Sequence, residues 1–214
     1  MRLVVARPEP LDRVSLLSGV RTLARRDRGL ARLVARYGPP PLWARRPGFT
    51  TLLRIILEQQ VSLASAEALY RRLAGSVRPL DAAGILAAGT SGLQRLGVTR
   101  QKARYVHALA DQVTLGQLAL SSLGKYSDTE ALERLMCVPG IGPWTAGIYL
   151  LMALRRPDIW PPGDLALQKA LGRHYGSAST LTAIEIEEIT ARWRPLRAVA
   201  ARIFWHSYLA ERAA

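Results

Sequence analysis

The chain has 214 residues and carries 30 Lys+Arg against 16 Asp+Glu, a formal charge of +14. A hydrophobic content of 49% with 21% charged residues excludes a disordered basic tail, and the length suits one domain or two small ones sharing a hinge. The single cysteine, Cys137, excludes an intrachain disulfide and any four-cysteine zinc or iron–sulfur site within the chain. No stretch reaches the ~18 to 20 apolar residues of a membrane span, and the apolar run near Met1 is too short for a signal peptide. Positive charge on such a chain points first to nucleic acid. Only three of the 30 basic residues are lysines, and a GC-rich genome would also produce that bias, so a basic helical protein without nucleic-acid function remains open.

In chain order, residues 1–12 read as an extended leader. From Asp12 to Tyr37, Val14, Leu17, Leu23, Leu30, Leu33 and Val34 recur at helical spacing, and Gly38 with Pro39 to Pro41 stops the pattern. Leu52, Leu53, Ile56 and Leu57 form the next apolar face, followed by the polar turn Glu58-Gln59-Gln60-Val61 and a helix capped by Ser62. Asp81 and Ser91 can cap two short helices. Thr99 opens a longer one, with Ala103, Val106, Leu109, Ala110 and Val113 on one face. Ser127/Glu130 and Thr182/Glu185 have capping-box spacing, and Pro195 suits the first turn of a last helix ending near Arg212. The sum is about ten helices and no strand, an all-α chain.

The segment LMCVPGIGPWTA, Leu135 to Ala146, predicts a tight helical hairpin. Pro139 ends one helix, Gly140 and Gly142 allow close backbone approach, and Pro143 starts the next helix. Such a turn presents amides of Ile141, Gly142 and the following turn at a helix N-terminus, where a phosphate can bind. Further on, Pro161-Pro162-Gly163-Asp164 precedes LALQKALGRHYG, which places Asp164 at a second helix start. There the amides and the dipole keep its carboxylate ionised. Such a carboxylate either simply caps the helix or stabilises positive charge on a sugar as a glycosidic bond breaks.

VPGIGPWTAGIYLLMAL followed by PPGDLALQKAL resembles the helix-hairpin-helix plus Gly/Pro-Asp signature of the base-excision DNA glycosylase superfamily, and within it the alkylbase branch, the 3-methyladenine DNA glycosylase II type. IILEQQVSLASA, LGVTRQKARYVHALA and WRPLRAVAARIFW resemble further family segments in the same order, from about Gly48 to Tyr208. The resemblance implies two helical subdomains with a DNA-binding cleft between them: residues 12–48 with 157–214, and residues 49–156 ending in a hairpin at about 127–154. The N-terminal sheet domain of longer members is not expected, since little chain precedes Asp12.

It further implies Asp164 as catalytic residue, and a phosphate-binding set of Gly140, Ile141, Gly142, Trp144 and Thr145 with Arg100, Lys102 and Arg104. Gln59 or Gln60 would enter the gap left by the extruded nucleotide. Trp144, Ile148, Leu165 and Leu196 would line the base pocket; the last three stand where aromatic residues can occur in the branch. The main-chain carbonyls of Met136, Val138 and Gly140 would hold a monovalent cation, Na+ or K+. No cofactor is required, and zinc and an iron–sulfur cluster are not expected. Trp144 stands where backbone-cleaving branches carry a Schiff-base lysine, and an indole cannot form that adduct. The implied protein is a monofunctional glycosylase acting as a monomer on alkylated bases in double-stranded DNA, cytoplasmic and nucleoid-associated, without membrane contact. Action on uracil or oxidised bases, and non-catalytic DNA binding, stay open as alternatives. Trp43, Trp160, Trp193 and Trp205 are assigned to core or rim, and His107, His174 and His206 to structure.

Overall fold

The computed structural model describes residues 9–176 and 180–213, which excludes most of the 1–12 leader. Its elements are α1 (Arg13–Arg26), α2 (Arg28–Tyr37), α3 (Phe49–Glu58), α4 (Leu63–Ser76), α5 (Ala82–Arg95), α6 (Arg100–Thr114), α7 (Asp128–Met136), α8 (Pro143–Met152), α9 (Leu165–Tyr175), α10 (Ala183–Ala191) and α11 (Arg197–Ala213), with a 3₁₀ segment at Leu120–Lys125. The fold is all-α, with no strand among the described residues. They divide into two compact units, Arg45–Ala153 with α3 to α8, and residues 9–44 with 154–213, which hold α1, α2 and α9 to α11.

In the first unit α3 is central, packing on α4, α6 and α8. Leu52, Leu53, Ile55, Ile56 and Leu57 are all fully buried, a wide apolar face set against a polar edge of Thr50, Arg54 and Glu58. Each such apolar side chain contributes roughly 1.5–3 kcal/mol by leaving water. Tyr149 of α8, also fully buried, accepts at its hydroxyl oxygen from Gly48 N at 2.9 Å and fixes where α3 begins. In the second unit α11 packs on α1, α2 and α9. Gly19 of α1 lets α11 approach, because a Cβ there would sit 3.0 Å from Val199.

The helix starts follow the expected chemistry. Ser127/Glu130 and Thr182/Glu185 form complete capping boxes, and Asp12 forms another with Ser15. Two boundaries differ from the periodicity. The stretch from Asp12 to Tyr37 is two helices, because Asp27 leaves helical geometry (φ −134°, ψ 108°) and its carboxylate accepts from Gly29 N and Leu30 N to start α2. The break within α5 falls at Gly89 (φ 62°, ψ 168°), ahead of Ser91, since glycine takes that conformation without steric cost.

Candidate active site

The hairpin of the first unit is α7, a turn at residues 137–142, and α8. Gly140 has φ +86°, and a Cβ on it would lie 2.1 Å from Cγ of Tyr105. The turn therefore rests on the face of an α6 tyrosine, whose hydroxyl accepts from Gln101 at 2.7 Å, and only glycine permits that approach. Gly142 caps α8 with no side-chain hydrogen bond, and Pro143 occupies the first turn. A helix start of this kind offers main-chain amides that the helix itself does not use.

Three members of the expected phosphate set have partners within the protein. The Ile141 amide is already committed, donating to Val138 O at 3.0 Å, and its side chain is buried. The Thr145 side chain is buried and its hydroxyl accepts from Gln59 Nε2 at 2.9 Å. Lys102 is no surface cation: it is 9% exposed and donates Nζ to Leu57 O at 2.7 Å, closing the C-terminal end of α3. Burial pushes its pKa below the usual lysine value. Arg100 and Arg104 are exposed, one turn apart on α6, the helix whose Tyr105 carries the hairpin.

The two glutamines separate. Gln59 is half-buried and donates Nε2 to both Gly140 O and Thr145 Oγ1, each at 2.9 Å. Gln60 follows at φ 54°, exposed, with the exposed apolar residues Val61 and Leu63 behind it. The same bonds bear on the cation set. Gly140 O accepts from Gln59 and Val138 O from Ile141, so two of the three named carbonyls each receive one protein donor and keep a second lone pair. Among the described residues no group of three or more His, Cys, Asp or Glu could hold a metal ion.

Asp164 lies in the second unit. It caps α9, its Oδ1 accepting from Leu167 N at 3.0 Å and from Trp205 Nε1 of α11 at 3.1 Å, and it is 9% exposed. Trp205 is held in turn edge-on against Trp43, with ring centroids 6.3 Å apart. The segment leading to Asp164 is fastened at several points. Leu11 N donates to Arg155 O at 2.7 Å and Ala198 N to Pro157 O at 2.9 Å, and the Arg197 guanidinium holds the Asp158 carboxylate through Nε at 3.0 Å and Nη2 at 3.2 Å. Trp205 is the partner that sequence reasoning missed. Its aromatic type gave no sign of a polar role, although a buried indole N–H must find an acceptor.

The residues expected in the base pocket divide between the two units. Ile148 is 3% exposed within the core of the first unit. Trp144 is half-buried at the start of α8. In the second unit Leu165 is 70% exposed beside Asp164, and Leu196 is half-buried near Gly19.

A tight Gly-Pro hairpin and an aspartate capping the helix of a later Pro-Gly-Asp turn are the two parts of one family signature. Residues 53–195 match the family described as HhH-GPD superfamily base excision DNA repair protein. The chain belongs to that superfamily. It is 30% identical to Bacillus subtilis YfjP over 115 residues, 54% of this chain, and spans 40% of that relative's length. It is 25% identical to the alkylbase DNA glycosidase-like protein mag2 of Schizosaccharomyces pombe over 186 residues, covering 84% of this chain and 87% of mag2. The fold matches that of the S. pombe 3-methyladenine DNA glycosylase Mag1 in complex with abasic DNA, with a TM-score of 0.80 and 22% identity over 88% of this HhH-GPD chain and 95% of that one.

Proposed function

We propose that this HhH-GPD protein is a monofunctional DNA glycosylase that hydrolyses the N-glycosidic bond of alkylated bases, of the 3-methyladenine type, in duplex DNA. The observation that carries the reading is the carboxylate of Asp164, buried at a helix N-terminus and held on Oδ1 by an amide and an indole. Alkylation at nitrogen makes the base cationic, so the C1′–N bond breaks with its electron pair leaving to a base that becomes neutral. The sugar is left as an oxocarbenium ion. A fixed carboxylate stabilises that charge and orients the water whose oxygen bonds to C1′ and whose proton is released. The reaction needs no acid at the base.

DNA is drawn in by the charge of +14, and the affinity is salt-dependent. The start of α8, through Gly142, and the exposed Arg100 and Arg104 hold the strand. Gln60 fills the gap left by the extruded nucleotide, because Gln59 is tied to the hairpin by both of its bonds. Trp144 offers an indole face, which attracts a cationic base, and its lack of an amine rules out the Schiff base of backbone-cleaving relatives. The protein acts as a monomer on nucleoid DNA in the cytoplasm; no described helix is long and apolar enough to cross a membrane.

The test is release of base from duplexes containing 3-methyladenine, 1,N6-ethenoadenine, uracil or 8-oxoguanine, with abasic sites then cleaved by alkali. Wild type should open the 3-methyladenine duplex only after alkali, and Asp164→Asn should not. Release of uracil or 8-oxoguanine alone would reassign the substrate. Strand cleavage trapped by borohydride would overturn the monofunctional reading, and folded, DNA-bound wild type that releases nothing would leave only a binding module.

A further inference from the structure

A second feature of the residue 9–44 and 154–213 unit is unconnected with the hairpin or Asp164. At the junction of α1 and α2 a cavity of about 350 Å³ is lined by Arg26, Arg28, Arg32 and Arg192 together with His174 and Tyr175. Arg26 ends α1, Arg28 and Arg32 lie one turn apart on α2, and Arg192 follows α10. Four arginines from three elements thus line one concavity. Its one carboxylate, Asp27, is committed elsewhere: Oδ1 accepts from Gly29 N at 2.8 Å and Leu30 N at 3.1 Å, and Oδ2 from Trp193 Nε1 at 2.9 Å. Among the described residues no carboxylate pairs with Arg26, Arg28 or Arg32. Arg192 lies over the Tyr175 ring at 5.6 Å.

The floor is built. His174 sits where a Cβ on Gly29 would come within 2.2 Å of its Nε2, so Gly29 admits the ring, and Phe204 and Tyr175 hold it edge-on at 5.4 and 4.9 Å. Like charges gathered this way repel unless an anion joins them. The planar forks of arginine match pairs of phosphate oxygens. The site lies at the His174 end of α9, a helix length of roughly 16 Å from Asp164 at 1.5 Å per residue.

We propose that this cavity is a second phosphate-binding site, taking a phosphodiester of the DNA backbone away from the damaged nucleotide. It would add grip on the duplex without adding chemistry. The test compares undamaged duplex binding by fluorescence anisotropy over a series of KCl concentrations for wild type, Arg28→Gln/Arg32→Gln, and Arg13→Gln/Arg21→Gln, which removes the same charge from exposed positions outside the cavity. Each phosphate contact contributes about 0.9 to the slope of log K against log salt. The cavity variant should lose between about 1 and 2 from that slope and the control far less. Titration with adenosine monophosphate separates the source of the phosphate. Saturable binding lost in the cavity variant, with the DNA slope unchanged, would keep the phosphate site and overturn the backbone as its ligand. Equal small losses in both variants and no nucleotide binding would overturn the site altogether. All three proteins are checked by circular dichroism, and Arg26→Gln with Arg192→Gln supplies an independent pair if α2 is perturbed.

Discussion

Asp27 and Asp164 are built alike. Each caps a helix in the second unit, each accepts from the main chain of the turn it starts, and each accepts from an indole of a residue far along the chain, Trp193 or Trp205. They differ in surroundings. Asp27 stands beside His174 among four arginines; burial pushes its carboxyl up, but the Trp193 indole, the Leu30 and Gly29 amides and His174 together carry it below the usual value. Asp164 follows an exposed Pro-Gly pair, precedes the exposed Leu165, and has the Trp43–Trp205 aromatic pair at its back. A capped, indole-held aspartate is first a stabilising device. In the proposed function only Asp164 is turned to chemistry, and paired substitutions can separate the two uses.

The largest contrast should come from Asp164→Asn. Asparagine caps a helix as well as aspartate does, so the melting temperature should stay within a few degrees of wild type. Loss of the charge should slow single-turnover release of 3-methyladenine by about 100- to 1000-fold, the scale of removing one electrostatic stabiliser. Asp27→Asn should leave that rate unchanged, and equal losses at both positions would break the distinction. Next comes Asp27→Ala, which removes the cap and strands the Trp193 indole. Together these should cost about 2 to 3 kcal/mol in urea unfolding, with the rate per folded molecule retained. Smaller again are the indoles themselves. Trp205→Phe and Trp193→Phe should each cost about 1 kcal/mol of stability for one hydrogen bond. Trp205→Phe alone should also slow excision, because it loosens Oδ1 of the carboxylate that faces the sugar in the proposed reaction. Equal excision rates in the two variants would remove Trp205 from the site.

Much of this was legible in the sequence because it is local. Capping boxes, the Gly-Pro hairpin and the cap at Asp164 depend on residues three or four apart, and their chemistry survives any tertiary arrangement. What was not legible depends on long-range geometry. The expected phosphate-binding set included Lys102, but its chain reaches the carbonyl end of α3, 45 residues earlier. Gln59 and Gln60 are identical in type and adjacent in sequence. Only the fold, which brings Gly140 and Thr145 to Gln59, tells them apart. The break at Asp27 was hidden because its apolar neighbours keep helical spacing across it. The indole partners were hidden because aromatic residues in a basic helical chain read as core.

The finest test of the Asp27 side concerns His174. Burial lowers its pKa below 6.5, Asp27 opposes that shift, and Arg32 adds to it. The folded protein therefore holds His174 neutral at a pH where the unfolded chain takes up a proton. Stability follows the difference in bound protons, so it must fall as the pH drops through about 6.5 toward the lower folded pKa, and level off beneath it. The urea midpoint of wild type should accordingly decline between pH 7.5 and pH 5, and His174→Gln, which keeps a polar side chain but does not titrate, should decline less. Had Asp27 and His174 formed an ion pair that governs this corner, His174 would be raised instead, and acidification would strengthen the wild type relative to the variant. That opposite slope would show that the Asp27 carboxylate is held by a charge rather than by amides and an indole, and the likeness between the two aspartates would end there.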